Sequence, residues 1–261
     1  MPIISTFCKK GGVGKTTFLG YLAHFYANQG KTVLIISADD QNSIFKIFGC
    51  ENYVTDNDDD FFENLLVGEK KPEEVVFEAR PGMYLMKTLN TDRLSINLTL
   101  KRSEEKKLRS LIEDFTNYFD YIFVDFPPSS SRLTEILLDI SEKILLVVGL
   151  DPLGIDGYKN TIQYFVDCDI EISKISHIIP IGYHPIKITP NKSLKELKIL
   201  AQNYSPDAII ATPIKDKAVI QNLQSEGISV FDNHLMKDKF HQKNLNEISK
   251  DLSEVYNSLV L

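Results

Sequence analysis

Short runs of Ile, Val, Leu and Phe recur along the chain without a clean alternation of apolar and polar positions. Residues 2–8, 32–37, 84–87, 121–125, 144–149 and 178–183 carry this pattern. It marks strands buried on both faces, as in a parallel sheet covered by helices. Between them lie longer segments with apolar residues at helical spacing: 15–29, 101–118, 133–142, 157–166, 193–203 and 238–259. This strand–helix alternation predicts an α/β fold, a doubly wound, mostly parallel sheet flanked by helices in three layers. No internal repeat, low-complexity tract or Pro/Gly/Ser linker divides the chain, so residues 1–261 are read as a single domain.

Composition narrows the class. Of 261 residues, 43% are hydrophobic and 25% charged, which excludes wholesale disorder. The longest apolar run, 144–150, falls far short of the roughly 18 residues of a membrane span. The first residues lack the basic and apolar regions of a secretory leader, so a soluble cytoplasmic protein is expected. Cys8, Cys50 and Cys168 are widely spaced and form no C-x-x-C, so neither a zinc site nor a disulfide framework is indicated. The net charge of −7 argues against a whole-surface nucleic-acid binder and leaves room for a local basic patch.

Two charged stretches have plain readings. Asp56-Asn57-Asp58-Asp59-Asp60 spaces its carboxylates like a calcium loop, but Phe61 stands at the required glycine and Val67 at the required glutamate. A solvated loop is expected there. The basic run from Lys101 to Arg109 reads as the wet face of a helix.

The chemistry lies in Lys9-Lys10-Gly11-Gly12-Val13-Gly14-Lys15-Thr16-Thr17, between the first strand and the first helix. Glycines let the backbone curl so that successive N–H groups point into one concavity. The helix N-terminus adds partial positive charge at the same point. Lys15 is placed to reach the β- and γ-phosphates of a nucleotide, and the Thr16 hydroxyl to ligate Mg²⁺. The strict G-x-x-x-x-G-K-T pattern fails at one position, where Lys9 replaces the first glycine.

The segment from Lys10 to Thr16 resembles the deviant Walker A motif of the ParA/MinD group of P-loop ATPases, which carries an extra lysine early in the loop. The resemblance implies that Gly11, Gly12, Val13, Gly14 and Thr17 help bind ATP, and that Lys10 reaches across a dimer to the partner's phosphates. A cation there helps only when a second chain closes over it, so dimerisation becomes ATP-dependent. Residues 33–41, ending Ser37-Ala38-Asp39-Asp40-Gln41, match the family's second-strand motif. Asp39 falls on the aspartate that orients the attacking water, and strand alternation separates it from Asp40. Ser37 replaces the family's other aspartate, which supports the Mg²⁺ water shell, so a raised Mg²⁺ requirement is expected. Residues 118–129 resemble the Walker B region, which makes Asp125 a holder of the Mg²⁺ shell and places the start of a γ-phosphate-sensing segment at Pro127 and Pro128. Residues 151–157, 211–216 and 227–232 resemble later family segments, with Pro213 expected beside the adenine.

The family spans several functions. The tail 249–261 lacks a basic amphipathic face, which disfavours MinD-like membrane binding. No cysteine follows the Walker motifs as a reductase would need. Residues 181–220 hold Lys187, Lys192, Lys195, Lys198, Lys215 and Lys217 against three acids, a local excess of positive charge that could track DNA phosphates. The phosphate loop begins too near residue 1 to leave room for a preceding helix-turn-helix, so nonspecific DNA binding is expected. The reading is a ParA-like ATPase using ATP and Mg²⁺, a homodimer with ATP, nucleoid-associated in that state. It would work with a ParB-like centromere-binding protein or a cargo adaptor in DNA partition. Positioning of a protein cargo and a low-turnover or MinD-like nucleotide switch remain as alternatives.

Overall fold

The computed structural model describes residues 2–54, 61–215, 218–232, 239–259 and 261. The acidic stretch 56–60 and Lys217 lie outside these residues. The elements run β1 (Ile3–Phe7), α1 (Lys15–Ala27), β2 (Val33–Ser37), α2 (Ser43–Ile47), α3 (Phe62–Val67), α4 (Pro72–Val75), β3 (Val76–Arg80) and β4 (Met83–Met86). They continue through α5 (Thr91–Leu100), α6 (Arg102–Phe115), β5 (Tyr121–Asp125), α7 (Arg132–Ile140), β6 (Lys143–Gly149), α8 (Pro152–Asp167), β7 (Ile175–Tyr183) and α9 (Ile188–Tyr204). Two short strands, β8 (Ile209–Ile210) and β9 (Ile214–Lys215), and two helices, α10 (Ala218–Ser225) and α11 (Lys239–Ser258), follow.

The strand order is β3-β4-β2-β5-β1-β6-β7-β8, with β9 pairing β7. Every pairing is parallel except β3 with β4. The predicted doubly wound α/β sheet is thus the observed one. Each central strand sends alternate apolar residues to opposite cores. In β2, Leu34 and Ile36 face one layer and Val33 and Ile35 the other. In β6, Leu146 and Val148 face the first and Leu145 and Val147 the second. Both faces are dry, which is why the sequence shows no alternation.

One layer holds α5 through α9, buried through Leu94, Leu108, Leu137, Tyr158 and Leu197. The other holds α1, α2 and α11, through Leu22, Ile44, Leu252 and Tyr256. Leu252, Val255 and Tyr256 of α11 and Leu259 just after it are all buried, so the apolar stripe of the tail is spent on this core. Among the described residues no helix is long and apolar enough to cross a membrane.

Several elements differ from the sequence reading. Strand β3 is absent from that reading: it is an antiparallel edge strand whose residues are half-exposed, so it lacks the doubly buried pattern. Helix α8 starts at Pro152 rather than residue 157, because the Asp151 side chain caps it by accepting from the Gly154 N–H at 2.9 Å. Helix α9 starts at Ile188 rather than residue 193. Helices α5 and α10 are short or weakly patterned and escape the periodicity. Cys8 and Cys50 are buried, Cys168 is partly exposed, and all three are thiols.

Candidate functional site

Parallel strands deliver their C-terminal ends to one edge of the sheet, and ligands of such folds gather at that edge. Here the loop after β1, the turn after β2, the end of β5 and the end of β7 converge on a cleft of about 700 Å³. Its floor is the predicted phosphate loop: Gly11, Gly12, Val13, Gly14, Lys15, Thr16 and Thr17 all line it. Gly12 and Gly14 have φ of 71° and 89°, the left-handed conformation that side chains resist, and Gly14 leads directly into α1. Loop and helix N-terminus therefore present their N–H groups toward the same space.

Lys15 is 6% exposed, and its Nζ donates to the Lys10 carbonyl at 3.2 Å. Burial lowers its pKa, against the pull of Cys8, Asp125 and Asp39. Asp125 ends β5 and is also buried. It lies on the side of the sheet that α1 covers, and the Thr16 hydroxyl donates to its Oδ1 at 3.1 Å. Burial pushes the Asp125 carboxyl up to about 7, opposed by Thr16 and Lys15 and assisted by the charge of Asp39. A half-buried hydroxyl on a buried carboxylate, beside an anion cradle, fits a hard divalent cation that keeps waters and takes its other oxygens from phosphate. Among the described residues no cluster of three His, Cys, Asp or Glu side chains competes as a metal site.

Asp39 lines the cleft, and its Oδ1 accepts from the Gln41 N–H at 3.0 Å. Burial and the neighbouring Asp40 raise its pKa, against the Gln41 N–H and Lys15. Asp40 turns elsewhere, accepting from Gln41 Nε2 at 3.2 Å and from Thr91 Oγ1 at 3.3 Å. Strand alternation is not what separates the two aspartates, since β2 stops at Ser37 and both lie in the following turn. Ser37 is fully buried, and its hydroxyl donates to the Asp39 carbonyl at 3.0 Å. The Ser37 carbonyl in turn accepts from Thr88 Oγ1 at 2.6 Å. Ser37 therefore holds the turn that carries Asp39; it does not line the cleft.

Lys10 is half-buried beside the loop. Its β-carbon lies over Gly157 of α8. Among the described residues its ammonium makes no hydrogen bond or ion pair. Lys9 is tied down differently. Its N–H donates to Thr161 Oγ1 at 2.9 Å, its ammonium bonds Ser130 Oγ, and it sits 4.6 Å from the centre of the Tyr164 ring.

The lysines read as one basic patch separate. Lys192, Lys195 and Lys198 stand exposed on α9, with exposed Lys187 just before it. Glu196, the acid among them, is taken by Lys159 at 3.0 Å. Lys215 does not join them: it pairs with Asp251 of α11 at 3.4 Å, on the opposite face of the sheet, and lines the cleft. Pro213 stands at the margin of the cleft. It lines a smaller pocket of about 190 Å³ beside the cleft, and the next residues, Ile214 and Lys215, reach the cleft itself. Strand β9 begins at Ile214, whose side chain turns in toward the α1 layer.

The cleft's other walls were not legible in the sequence. Phe18 and Tyr21 of α1, Lys46 of α2, Ile181 of β7, Gln224 of α10 and Tyr256 of α11 contribute to them. These residues sit in ordinary helical or strand patterns with no local signature. A Ser–His–Asp constellation, Ser229, His24 and Asp232, is not a hydrolytic site: all three are buried, none lines the cleft, and Asp232 is engaged by Arg80 at 2.8 Å.

Comparison with known proteins agrees with this geometry. A family model described as an AAA domain matches residues 1–177. An uncharacterized protein of Pseudomonas putida is 26% identical over 157 residues, 59% of each chain, so the match spans under two thirds of that relative's length. The cell division protein PomZ of Myxococcus xanthus is 25% identical over 227 residues, covering 85% of this chain and 69% of PomZ. Among solved structures, an Asp-to-Ala variant of Cyanothece McdA in complex with ATP superposes with a TM-score of 0.77 at 17% identity, covering 100% of this chain and 98% of that one. With a curled phosphate loop that enters α1, an extra lysine at position 10 of that loop, and Asp39 and Asp125 at the same edge of the sheet, the chain belongs to this AAA-domain family, that of the ParA/MinD P-loop ATPases.

Proposed function

We propose that this protein is a Mg²⁺-dependent ATPase of the ParA type. In this reading it closes a sandwich dimer around ATP, binds DNA without sequence preference in that state, and releases it on hydrolysis. The observation that carries the reading is the contrast between the two loop lysines. Lys15 is buried in its own loop, whereas at the edge of the same loop the Lys10 ammonium makes no hydrogen bond or ion pair among the described residues. A cation so placed is available to phosphates held by a second protomer, and the attraction strengthens as water is excluded.

The residues divide the work. The loop N–H groups and Lys15 hold the phosphates, while Thr16 and Asp125 hold the cation. Asp39, the carboxylate open to the cleft, orients a water for in-line attack. When bound, ATP supplies the transferable γ-phosphoryl group and Mg²⁺ neutralises its charge; catalysis is then positioning and charge stabilisation. Lys187, Lys192, Lys195 and Lys198 form the DNA-tracking face, doubled by the two-fold axis of the dimer. DNA segregation with a ParB-like centromere-binding partner is the first assignment. The similarity to PomZ, a cell division protein, favours a second one, in which the same cycle positions a protein cargo through an adaptor.

Sedimentation of the wild type and Lys10→Ala with ATP, Mg²⁺ and DNA tests the reading. The wild type should sediment as a dimer and retain DNA only with ATP. The variant should bind ATP as a monomer and release DNA. A variant that dimerises normally with ATP would overturn it.

A further inference from the structure

Helix α10 closes one wall of the cleft, anchored to the α1 layer by buried Leu223. From this helix the half-buried Gln224 reaches across to the phosphate loop, and its Nε2 donates to Thr17 Oγ1 at 2.6 Å. These residues lie 207 positions apart in the chain. Thr17 is in the first turn of α1, where ligand oxygens meet the helix N-terminus. Its hydroxyl has one hydrogen and two lone pairs. With a lone pair accepting from Gln224, the hydrogen remains to be donated into the cleft.

We infer that Gln224 is a positioning residue for the nucleotide: it fixes the Thr17 hydroxyl as a donor to a phosphate oxygen and in doing so holds α10 closed over the bound ligand. The inference rests on the nucleotide reading above and adds to it a named link between the phosphate loop and a wall built from the far end of the chain. Hydrogen bonds in series polarise one another, so the Gln224–Thr17–phosphate chain is stronger than its separate links. A ligand group that only donated could use the second lone pair of Thr17, but it would leave the hydroxyl hydrogen without an acceptor and end the chain there. Phosphate oxygens, which only accept, preserve it.

The test measures the affinity and dissociation rate of a fluorescent ADP analogue on the full-length protein. Gln224→Met keeps the bulk and removes the amide. It should raise the dissociation constant about five- to tenfold, chiefly through faster release, with a melting temperature in the absence of nucleotide lowered by no more than about 4 °C. Gln224→Glu accepts from Thr17 and turns its hydrogen away from the ligand, so it should weaken binding further than Gln224→Met. Thr17→Ala should resemble Gln224→Met, and the double variant should be no weaker than the weaker single variant. Additive losses, or a Gln224→Met affinity within twofold of wild type or tighter than it, would overturn the inference while the nucleotide reading stands. Failure of the wild type to bind the analogue would overturn both.

Discussion

Gly157 of α8 lies directly beneath Lys10: a β-carbon at 157 would stand 2.7 Å from Lys10 Cβ and 3.3 Å from Cys8 Sγ. The first of these atoms is attached to the backbone and cannot swing away, so a methyl group there must move the start of the phosphate loop. Gly157→Ala should therefore act on Lys10 before it acts on the rest of the cradle. ATP binding should fall a few-fold, and ATP-dependent dimerisation, read by analytical ultracentrifugation, should fall at least tenfold. Gly154→Ala in the same helix provides the contrast. Its β-carbon would stand 2.1 Å from the Gly149 carbonyl oxygen, so it should lower the melting temperature outright.

Only one of the two adjacent aspartates faces the cleft. Asp39→Ala should give an ATP dimer that persists without turnover, with kcat reduced at least a hundredfold. Asp40→Ala should stay within about threefold of wild type in steady-state phosphate release. Ser37 enters through the turn that it holds, since its hydroxyl is committed to the Asp39 carbonyl. Ser37→Ala should cost about 1 kcal/mol of stability and lower kcat with the Mg²⁺ half-point unmoved. A shifted half-point would instead support the expectation of a raised Mg²⁺ requirement.

Reversing two of the α9 lysines, Lys192→Glu with Lys195→Glu, should abolish DNA retention near 50 mM salt and leave ATP-dependent dimerisation intact. The slope of log affinity against log salt should flatten by up to roughly four, because the dimer loses two lysines from each protomer and with them as many phosphate contacts and released counterions. Lys215→Glu should behave differently, because Lys215 pairs with Asp251 and lines the cleft. Its effect should fall on nucleotide affinity.

Acid should unravel the Asp232 cluster. Burial pushes the Asp232 carboxyl up, but Arg80, the Ser229 N–H and His24 together more than offset this and hold it below the ordinary carboxylate value. Both Asp232 oxygens accept from Arg80 at 2.8 Å. A carboxyl with a depressed folded pKa stabilises fully above the unfolded value, about 3.9, and that contribution is lost as pH falls through the folded pKa. Thermal melts should therefore show a steep loss below about pH 4, and Asp232→Asn should reduce that pH dependence. The same variant should cost about 3 kcal/mol at pH 7, because it leaves Arg80 with an uncompensated charge.

Features encoded by adjacent residues were legible in the chain alone. The glycines and lysine of residues 10–17 specify a loop whose backbone must curl and whose helix must begin there. Runs such as Val33 to Ser37 and Tyr121 to Asp125 specify strands dry on both faces, and their ends bring Asp39 and Asp125 to one edge of the sheet. The packing of the layers fixed whatever depends on residues far apart in the chain. It sent Lys215 to the face opposite the α9 lysines, spent the Ser37 hydroxyl on a turn, and put Ile214 rather than Pro213 in the cleft. It also brought Gln224 onto Thr17. These side chains obey ordinary helical and strand periodicities, which state that a residue is buried or exposed but not against what. Backbone conformation is a local property of a few neighbouring residues, whereas the partner of a side chain is set by how the layers stack.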